Sequence, residues 1–455
     1  MKKLNQWEES KFLRLFFAFV SVCFVIAAFI LPDRATAFSG VWKIMTSTCK
    51  ISTNYFALGG YAATFLNMGI VGLFCTLLVS LPGAKPNNVT TLGVLLTIGF
   101  GSWGMNLVNM IPTVLGVCIY ALVKKEKLGT VSNAMLYSTG IAPLISELLF
   151  RYYAPGFSWI GLGLALVVGF VIGFFLPAGL AHAPACHKGY VHYSAALPVG
   201  LAAFFLRAVL YNVMRGTTPA KLELSTLAAP EYNFFYACNI FSIALFVAFI
   251  VAALLMGCKL KDYWNLMKDS GHGVSFSSKY GNAAFLMNAG VFGLMIVAYF
   301  NFAAIIDPAQ SMSNVWTGMT FGIVFCMVCT CNSGSHPRNV LPIMVGYILF
   351  SYLFGWISGL LGVEKYALSI GSQTILIGLC YANGLSPIAG KYGFAHGVLA
   401  AGLHYLLVSA VPDMHGGFLL YNGGFTATLI CILFVPQLEK FCKTKEERRL
   451  AKASK

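Results

Sequence analysis

Charge is what this chain has least of. Only 10% of its 455 residues are charged and 58% are hydrophobic, where a soluble domain carries roughly 25% charged residues. Water is therefore not its main solvent. Acidic side chains are scarcest, 15 Asp and Glu against 30 Lys and Arg. There is no Walker loop, no H-E-x-x-H, no G-x-S-x-G elbow and no pair of Asp residues within an apolar run. An ATP-driven or hydrolytic mechanism lacks its parts, and no enzyme activity or catalytic residue is expected. A membrane-embedded hydrolase using His and Cys is the weaker alternative. The ~10-residue alternating segments of a membrane barrel are missing too. Thirteen Cys residues are scattered through apolar runs without metal-ligand spacing to His, so neither metal nor cofactor is expected. The cluster Cys326, Cys329 and Cys331 reads as small buried hydrophobes.

What is present is long apolar runs between short polar breaks, with a mean hydropathy of +0.77. That pattern defines an all-α, polytopic membrane protein of about 12–14 spanning or re-entrant helices. The formal charge of +15 raises a nucleic-acid reading, which fails because Lys and Arg sit mainly in loops and tails beside apolar runs. Residues 440–455 supply many of them. Such clusters mark a cytoplasmic face near anionic lipid, so both termini are expected in the cytoplasm. The first apolar run follows Lys2, Lys3, Lys11 and Arg14; Ala35-Thr36-Ala37 beyond it resembles a signal-peptidase site, but an uncleaved helix is expected.

One unit is used twice. WGMNLVNMIPTVLG (residues 103–116) aligns without a gap on SGSHPRNVLPIMVG (333–346), placing Gly104 on Gly334, Asn109 on Asn339 and Pro112 on Pro342. FLNMGIVGL around Asn67 matches FLMNAGVFGL around Asn288. STGIAP, with Gly140 and Pro143, matches ANGLSP, with Gly384 and Pro387. HKGYVHYSAA from His187 matches HGGFLLYNGG from His415. The offsets are 221, 230, 244 and 228 (288−67, 339−109, 387−143, 415−187). The chain divides into an N-terminal helix and loop (1–54), repeat one (55–216), a linker holding a lone apolar helix and a basic loop (217–276), repeat two (277–440) and a basic tail (441–455).

Gly104, Gly334, Gly140, Pro143, Gly384 and Pro387 interrupt apolar segments, which a bilayer tolerates only where protein or a polar cavity satisfies the freed backbone. With both termini inside and the broken segments counted as spans, the second copy is inverted; counted as re-entrant, the copies are parallel. The inverted reading keeps the basic loop after Met256 inside and is preferred. Inverted copies meeting through broken helices build the substrate site of many secondary transporters. Candidate solute contacts are Asn67, Asn106, Asn109, Asn288, His336, Arg338 and Asn339. The amides serve equally as interhelical glue, and Arg338 as an interface charge. Glu147 is the one carboxylate well inside an apolar segment, and its repeat partner is Lys391; these two, with His187 and His415, are candidates for coupling or gating. Glu147 with Arg151 is the local alternative.

The runs FLNMGIVGL, NMIPTVLG, APLISE, LSPIAGKYG and HGGFLLYNGGFTA resemble an uncharacterised family of duplicated bacterial inner-membrane proteins, known as a domain of unknown function. That resemblance implies a multi-pass protein of the bacterial inner membrane with two repeats, and supplies no activity. A looser likeness, to channel-type urea transporters, is one of architecture. The expected function is a permease for a small polar, possibly anionic, solute, coupled to Na⁺ or H⁺. The alternative is a channel-like facilitator. Homo-oligomerisation is left open.

Overall fold

The computed structural model describes residues 1–49, 53–216, 234–307, 315–363 and 369–454; the first part of the expected linker, residues 217–233, lies outside them. Among the described residues nine helices are long and apolar enough to cross a membrane. The first copy comprises α1 (Glu9–Ile30), α2 (Tyr61–Leu78), α3 (Asn88–Phe100), α4 (Leu107–Lys124), α5 (Ser132–Ser138), α6 (Ala142–Glu147), α7 (Trp159–His187) and α8 (Ala196–Arg207). The second comprises α9 (Phe234–Leu255), α10 (Asn282–Ile306), α11 (Gly318–Val328), α12 (Pro337–Leu360), α13 (Gln373–Ala382), α14 (Ser386–Tyr392), α15 (Phe394–Val408) and α16 (Asn422–Phe441). A tail helix, α17 (Lys445–Ala453), follows.

The helix expected to stand outside both copies has a counterpart. α9 packs on α10 through Gly290 and Gly293, which face Phe246 and Ile250. α1 packs on α2 through Gly69 and Gly72, which face Ser21 and Val25. The glycines are equivalent, since 69+221=290 and 72+221=293. Helices in lipid are held by close packing, and small residues permit it. The entries into α2 and α10 are also fastened alike. Asp33, just after α1, accepts from the Tyr61 N–H at 2.7 Å, and Asn5, just before α1, accepts from the Ala283 N–H at 2.9 Å. Each copy therefore begins with its own packing helix, α1 or α9, which sequence matching did not pair.

α3 and α4 form a hairpin. α3 has 13 residues, about 20 Å of helix, too short for a hydrocarbon core of about 30 Å. α4 returns to the end where α3 began, because the Gly129 N–H beyond it donates to Pro82 O at 3.2 Å. α11 and α12 make the matching hairpin. The Gly371 N–H beyond α12 donates to Asp307 Oδ2, just after α10, at 3.1 Å. Residues 315–331 are thus the short arm of a hairpin, so the Gly104 and Gly334 breaks are re-entrant; the parallel copies expected from that count do not follow, because α9 belongs to the second copy.

The two short arms lie against each other in opposite directions. Asn332 Nδ2 donates to Thr91 Oγ1 at 3.1 Å, and Cys326 Sγ contacts Leu96 O at 3.5 Å. At the other end of the contact, Gly318 lies beside Ser102 O. Leu96 and Cys326 are themselves equivalent, 96+230=326. Glycines make the approach possible: a Cβ on Gly99 would meet Gly322 O at 2.5 Å.

Basic residues gather at one end. Arg14 Nη2 donates to Ala84 O at 2.8 Å, Lys188 pairs with Glu439, and Arg448 reaches Tyr392 O. Lys124–Lys127 and the loop 259–279 belong to this end, while Asp33, Asp307 and Asp413 belong to the other. Gly99→Val should force the arms apart and lower the unfolding midpoint in detergent by the equivalent of about 1–3 kcal/mol or more. Gly355→Val, at a position with nothing within 4 Å, should leave it nearly unchanged. Equal midpoints would remove the crossing as the packing centre.

Candidate functional site

Each hairpin turns through a non-helical tip inside the protein, where backbone groups must find partners. At the first tip, Asn67 Nδ2 on α2 donates to Gly101 O at 2.7 Å and Met105 O at 2.8 Å. At the second, Asn288 Nδ2 on α10 donates to Cys331 O and Ser335 O, both at 2.8 Å. These carbonyls are equivalent, 101+230=331 and 105+230=335. Asn106 caps α4 reciprocally with Asn109, and His336 caps α12 reciprocally with Asn339. Asn109 Nδ2 also donates to Gly104 O at 3.0 Å, and Asn339 Nδ2 to Gly334 O at 2.8 Å. The amide N–H groups of Asn67, Asn288, Asn109 and Asn339 are thus engaged in closing the tips.

His336 Nδ1 accepts from the Asn339 N–H, so its Nε2–H donates to Asp269 O at 3.0 Å. Burial would raise the Asp269 carboxyl, but bonds from Lys279, the Gly271 N–H and Tyr280 outweigh it and hold the group below its ordinary value. Arg338 is exposed on the basic end. Gly334, at φ 131°, faces Gly271 too closely for any side chain.

The second breaks are milder. Thr139–Ile141 and Asn383–Leu385 are single 3₁₀ turns, each followed by Pro in the first turn of the next helix. Their freed carbonyls are served by the opposite copy. The His192 N–H, from the segment before α8, donates to Gly384 O at 3.1 Å; the Leu420 N–H, from the segment before α16, donates to Gly140 O at 2.9 Å. The segments match, 192+228=420, and the next residue in each, Tyr193 or Tyr421, lays its ring on the same glycine. Each segment is closed by a bond seven residues long: His187 Nε2 to Ser194 Oγ at 2.8 Å and His415 Nδ1 to Asn422 Oδ1 at 2.7 Å. Sequence reasoning isolated both histidines but not the exchange, which joins residues 192 and 280 positions apart (384−192, 420−140).

Tyr137, Tyr193, Tyr381 and Tyr421 meet beside Leu96 at the crossing and leave about 10 Å³ between them, at most the space of one water. The Tyr193 hydroxyl is shared between Cys326 O at 2.9 Å and Cys380 O at 3.1 Å, and Tyr381 donates to Leu420 O at 2.8 Å. The tyrosines carry polar groups to the centre; the sequence reading placed Tyr193 and Tyr421 in the matched histidine motifs but passed over Tyr137 and Tyr381. It also read no C-x-x-C pair, although Cys326 and Cys329 have that spacing; their thiols are free. At the basic end an open polar vestibule of about 570 Å³ lies among Asn5, Glu9, Lys85, Asn87, Ser277 and Asn282. The Ser277 N–H donates to Asn332 Oδ1 on the second tip at 2.8 Å.

Glu147 and Lys391 are not a pair. Glu147, 1% exposed, bonds Arg151 Nε through Oε1 at 2.6 Å. Lys391 lies 5.1 Å over the Tyr190 ring at the basic end. Equivalent residues meet only near the crossing; residues 147 and 391 are at opposite ends of it. Exchanging the charges of Glu147 and Arg151 should restore whatever stability Glu147→Arg removes, whereas exchange with Lys391 should restore nothing. Thermal unfolding of the single and double variants decides between them.

These features define a polytopic helical membrane protein built from two copies of one unit. The chain belongs to the family described as "Protein of unknown function (DUF1576)", which matches residues 33–212 and 256–440. The two matches cover the copies from the loop after α1 and from the loop after α9. No curated protein and no solved structure matches.

Asn67→Ala or Asn288→Ala strands two tip carbonyls and should destabilise the protein by about 1–3 kcal/mol per group, similarly in the two copies. A variant with an unchanged melting midpoint but altered solute flux would instead assign the amide to solute contact.

Proposed function

We propose that this protein is a transporter for a small polar solute, coupled to an ion gradient, with its site where the two copies cross. The second copy is inverted relative to the first, and the basic end faces the cytoplasm of a bacterial inner membrane. The observation that carries this reading is the opposed contact of α3 and α11, at which the equivalent residues Leu96 and Cys326 touch. An antiparallel contact between equivalents is what a two-fold axis in the membrane plane produces. The reciprocal bonds onto Gly140 and Gly384 support the same axis.

An open vestibule at one end and a tyrosine-filled centre fit a carrier closed at mid-depth. Solute would pass when the segments carrying Tyr193 and Tyr421 move off their glycines. Arg338 is exposed and Lys391 half-buried at the basic end, so the preference for an anion loses its support. The centre offers hydroxyls and carbonyls, which suit a neutral or zwitterionic solute. That uncharged lining also favours the second reading, a passive facilitator.

Purified protein in proteoliposomes should accumulate at least one of urea, glycine and succinate, and collapse of the ion gradients should abolish accumulation. Flux indifferent to gradients would select the facilitator; no flux, with lipid hydrolysis, would select an enzyme. Orientation has its own test. On a Cys-depleted background, Lys125→Cys and Lys268→Cys should be shielded from an impermeant thiol reagent added to whole cells, and Met414→Cys should react. Labelling at Lys268→Cys would overturn the assignment.

A further inference from the structure

The two copies agree closely in packing, which makes a buried polar pair found in only one of them informative. His404 on α15 is fully buried and bridges two neighbours. Its Nδ1 meets the Tyr347 hydroxyl of α12 at 2.5 Å, and its Nε2 meets Gly423 O of α16 at 2.8 Å. A carbonyl can only accept, so Nε2 carries the proton and Nδ1 accepts from Tyr347. In the neutral tautomer Nδ1 is then the one base site of the ring, marked by its partner Tyr347.

In the first copy the equivalent positions are Val117, Leu176 and Ala195 (347−230, 404−228, 423−228), all buried. The helix packing around them is otherwise the same: Gly116 meets Gly169 O, and Gly346 meets Ala401 and Val398 O. The unit therefore closes with aliphatic side chains here, and the fold does not require a histidine. An ionisable group at lipid depth is costly, so a cost absent from one copy and present in the other calls for a use.

Its position supplies one. Gly423 follows Tyr421 and Asn422, the end of the segment that fastens the Gly140 break, and its Cα faces the Tyr381 ring. Tyr381 in turn donates to Leu420 O in that segment. His404 is thus one hydrogen bond from the element that must move for solute to pass. The titratable groups around the pair are Tyr299 of α10, Tyr405 of α15 and Cys380 of α13, each facing Tyr347; the imidazole itself bonds only Tyr347 and Gly423 O.

We propose that His404, positioned by Tyr347, is the proton-binding site that couples transport to a pH gradient. Hydronium gives its proton to Nδ1, one O–H bond breaking, and leaves as water; the Tyr347 hydroxyl keeps its hydrogen, gives up its bond to the Nδ1 lone pair and turns from donor to acceptor. The imidazolium then holds Gly423 O by a charge-assisted bond and locks the 415–422 segment on Gly140. Loss of the proton weakens that bond and frees the segment. The inference rests on the transporter reading and names its coupling ion.

The test gives copy two the residues of copy one, Tyr347→Val with His404→Leu. The double variant should keep the elution volume and melting midpoint of the wild type, because copy one is built this way. In pyranine-loaded proteoliposomes supplied with urea, glycine or succinate, the protons moved per solute should fall by about tenfold or more. Unchanged proton movement per solute would overturn the proposal. A solute-free readout separates its failure from that of the transporter reading. Hydrogen–deuterium exchange of residues 418–423, corrected for intrinsic rate, should slow as pH falls in the wild type and stay level in the double variant. A purely structural pair would shift protection equally at every pH, and that result would also overturn the proposal.

Discussion

The constraint on which this architecture depends is that a peptide group without a partner is very costly in hydrocarbon. A chain that turns back inside the protein must close every carbonyl it frees, and this one does so with asparagine. One Asn per tip, reached from a neighbouring helix, bridges two carbonyls four residues apart; a second Asn, inside the tip, seals the helix start. The amide suits the task because its NH₂ group donates twice while its oxygen can still accept. The tips are consequently fixed by side chains on α2 and α10, which are in turn held by α1 and α9. A disturbance at the outer helices would therefore be felt at the centre.

The milder breaks are closed differently, and the difference bears on motion. Gly140 and Gly384 are each served by one N–H from the other copy and covered by one tyrosine ring. A tip held by two bonds from one amide on a long helix, with a second amide in the first turn of the helix that follows, resists opening. A turn held by one bond to a short segment does so far less, and its loss leaves a single carbonyl exposed. Carbonyls of this kind could meet water or a polar solute instead of the segment without unravelling either helix. On the transporter reading, the rigid hairpins would be the frame and the replaceable fastenings the moving part.

Much of the frame was legible in the sequence. Gly104 with Gly334, Asn109 with Asn339 and Pro112 with Pro342 marked the tips, because a turn inside a membrane demands the same residues wherever it is built. What the asparagines bond was not legible, since glue and solute contact require the same side chain. The exchange of His192 and Leu420 between copies joins residues far apart in the chain, and no local pattern reports it. The pairing of α9 with α1 was hidden because helix packing in lipid asks for small residues on one partner and almost any apolar surface on the other. Glu147 and Lys391 misled for a geometric reason. Alignment identifies equivalent residues, but only distance from the crossing decides whether equivalents touch, as Leu96 and Cys326 do.

Departures from equivalence sort by depth. Val108 against Arg338 and Glu147 against Lys391 differ toward the ends of the molecule, one of which is richer in basic groups, so that equivalents at opposite ends meet different surroundings. Such differences follow from orientation alone and require no chemistry. Val117 and Leu176 against Tyr347 and His404 differ in the buried interior, where surroundings contributed by the copies are alike. Orientation cannot account for that asymmetry. A two-fold carrier with identical halves can alternate between its faces, but it has no intrinsic reason to make one transition depend on an ion. In the proposed carrier His404, present in one half alone, would break that balance beside the segment that fastens the halves together.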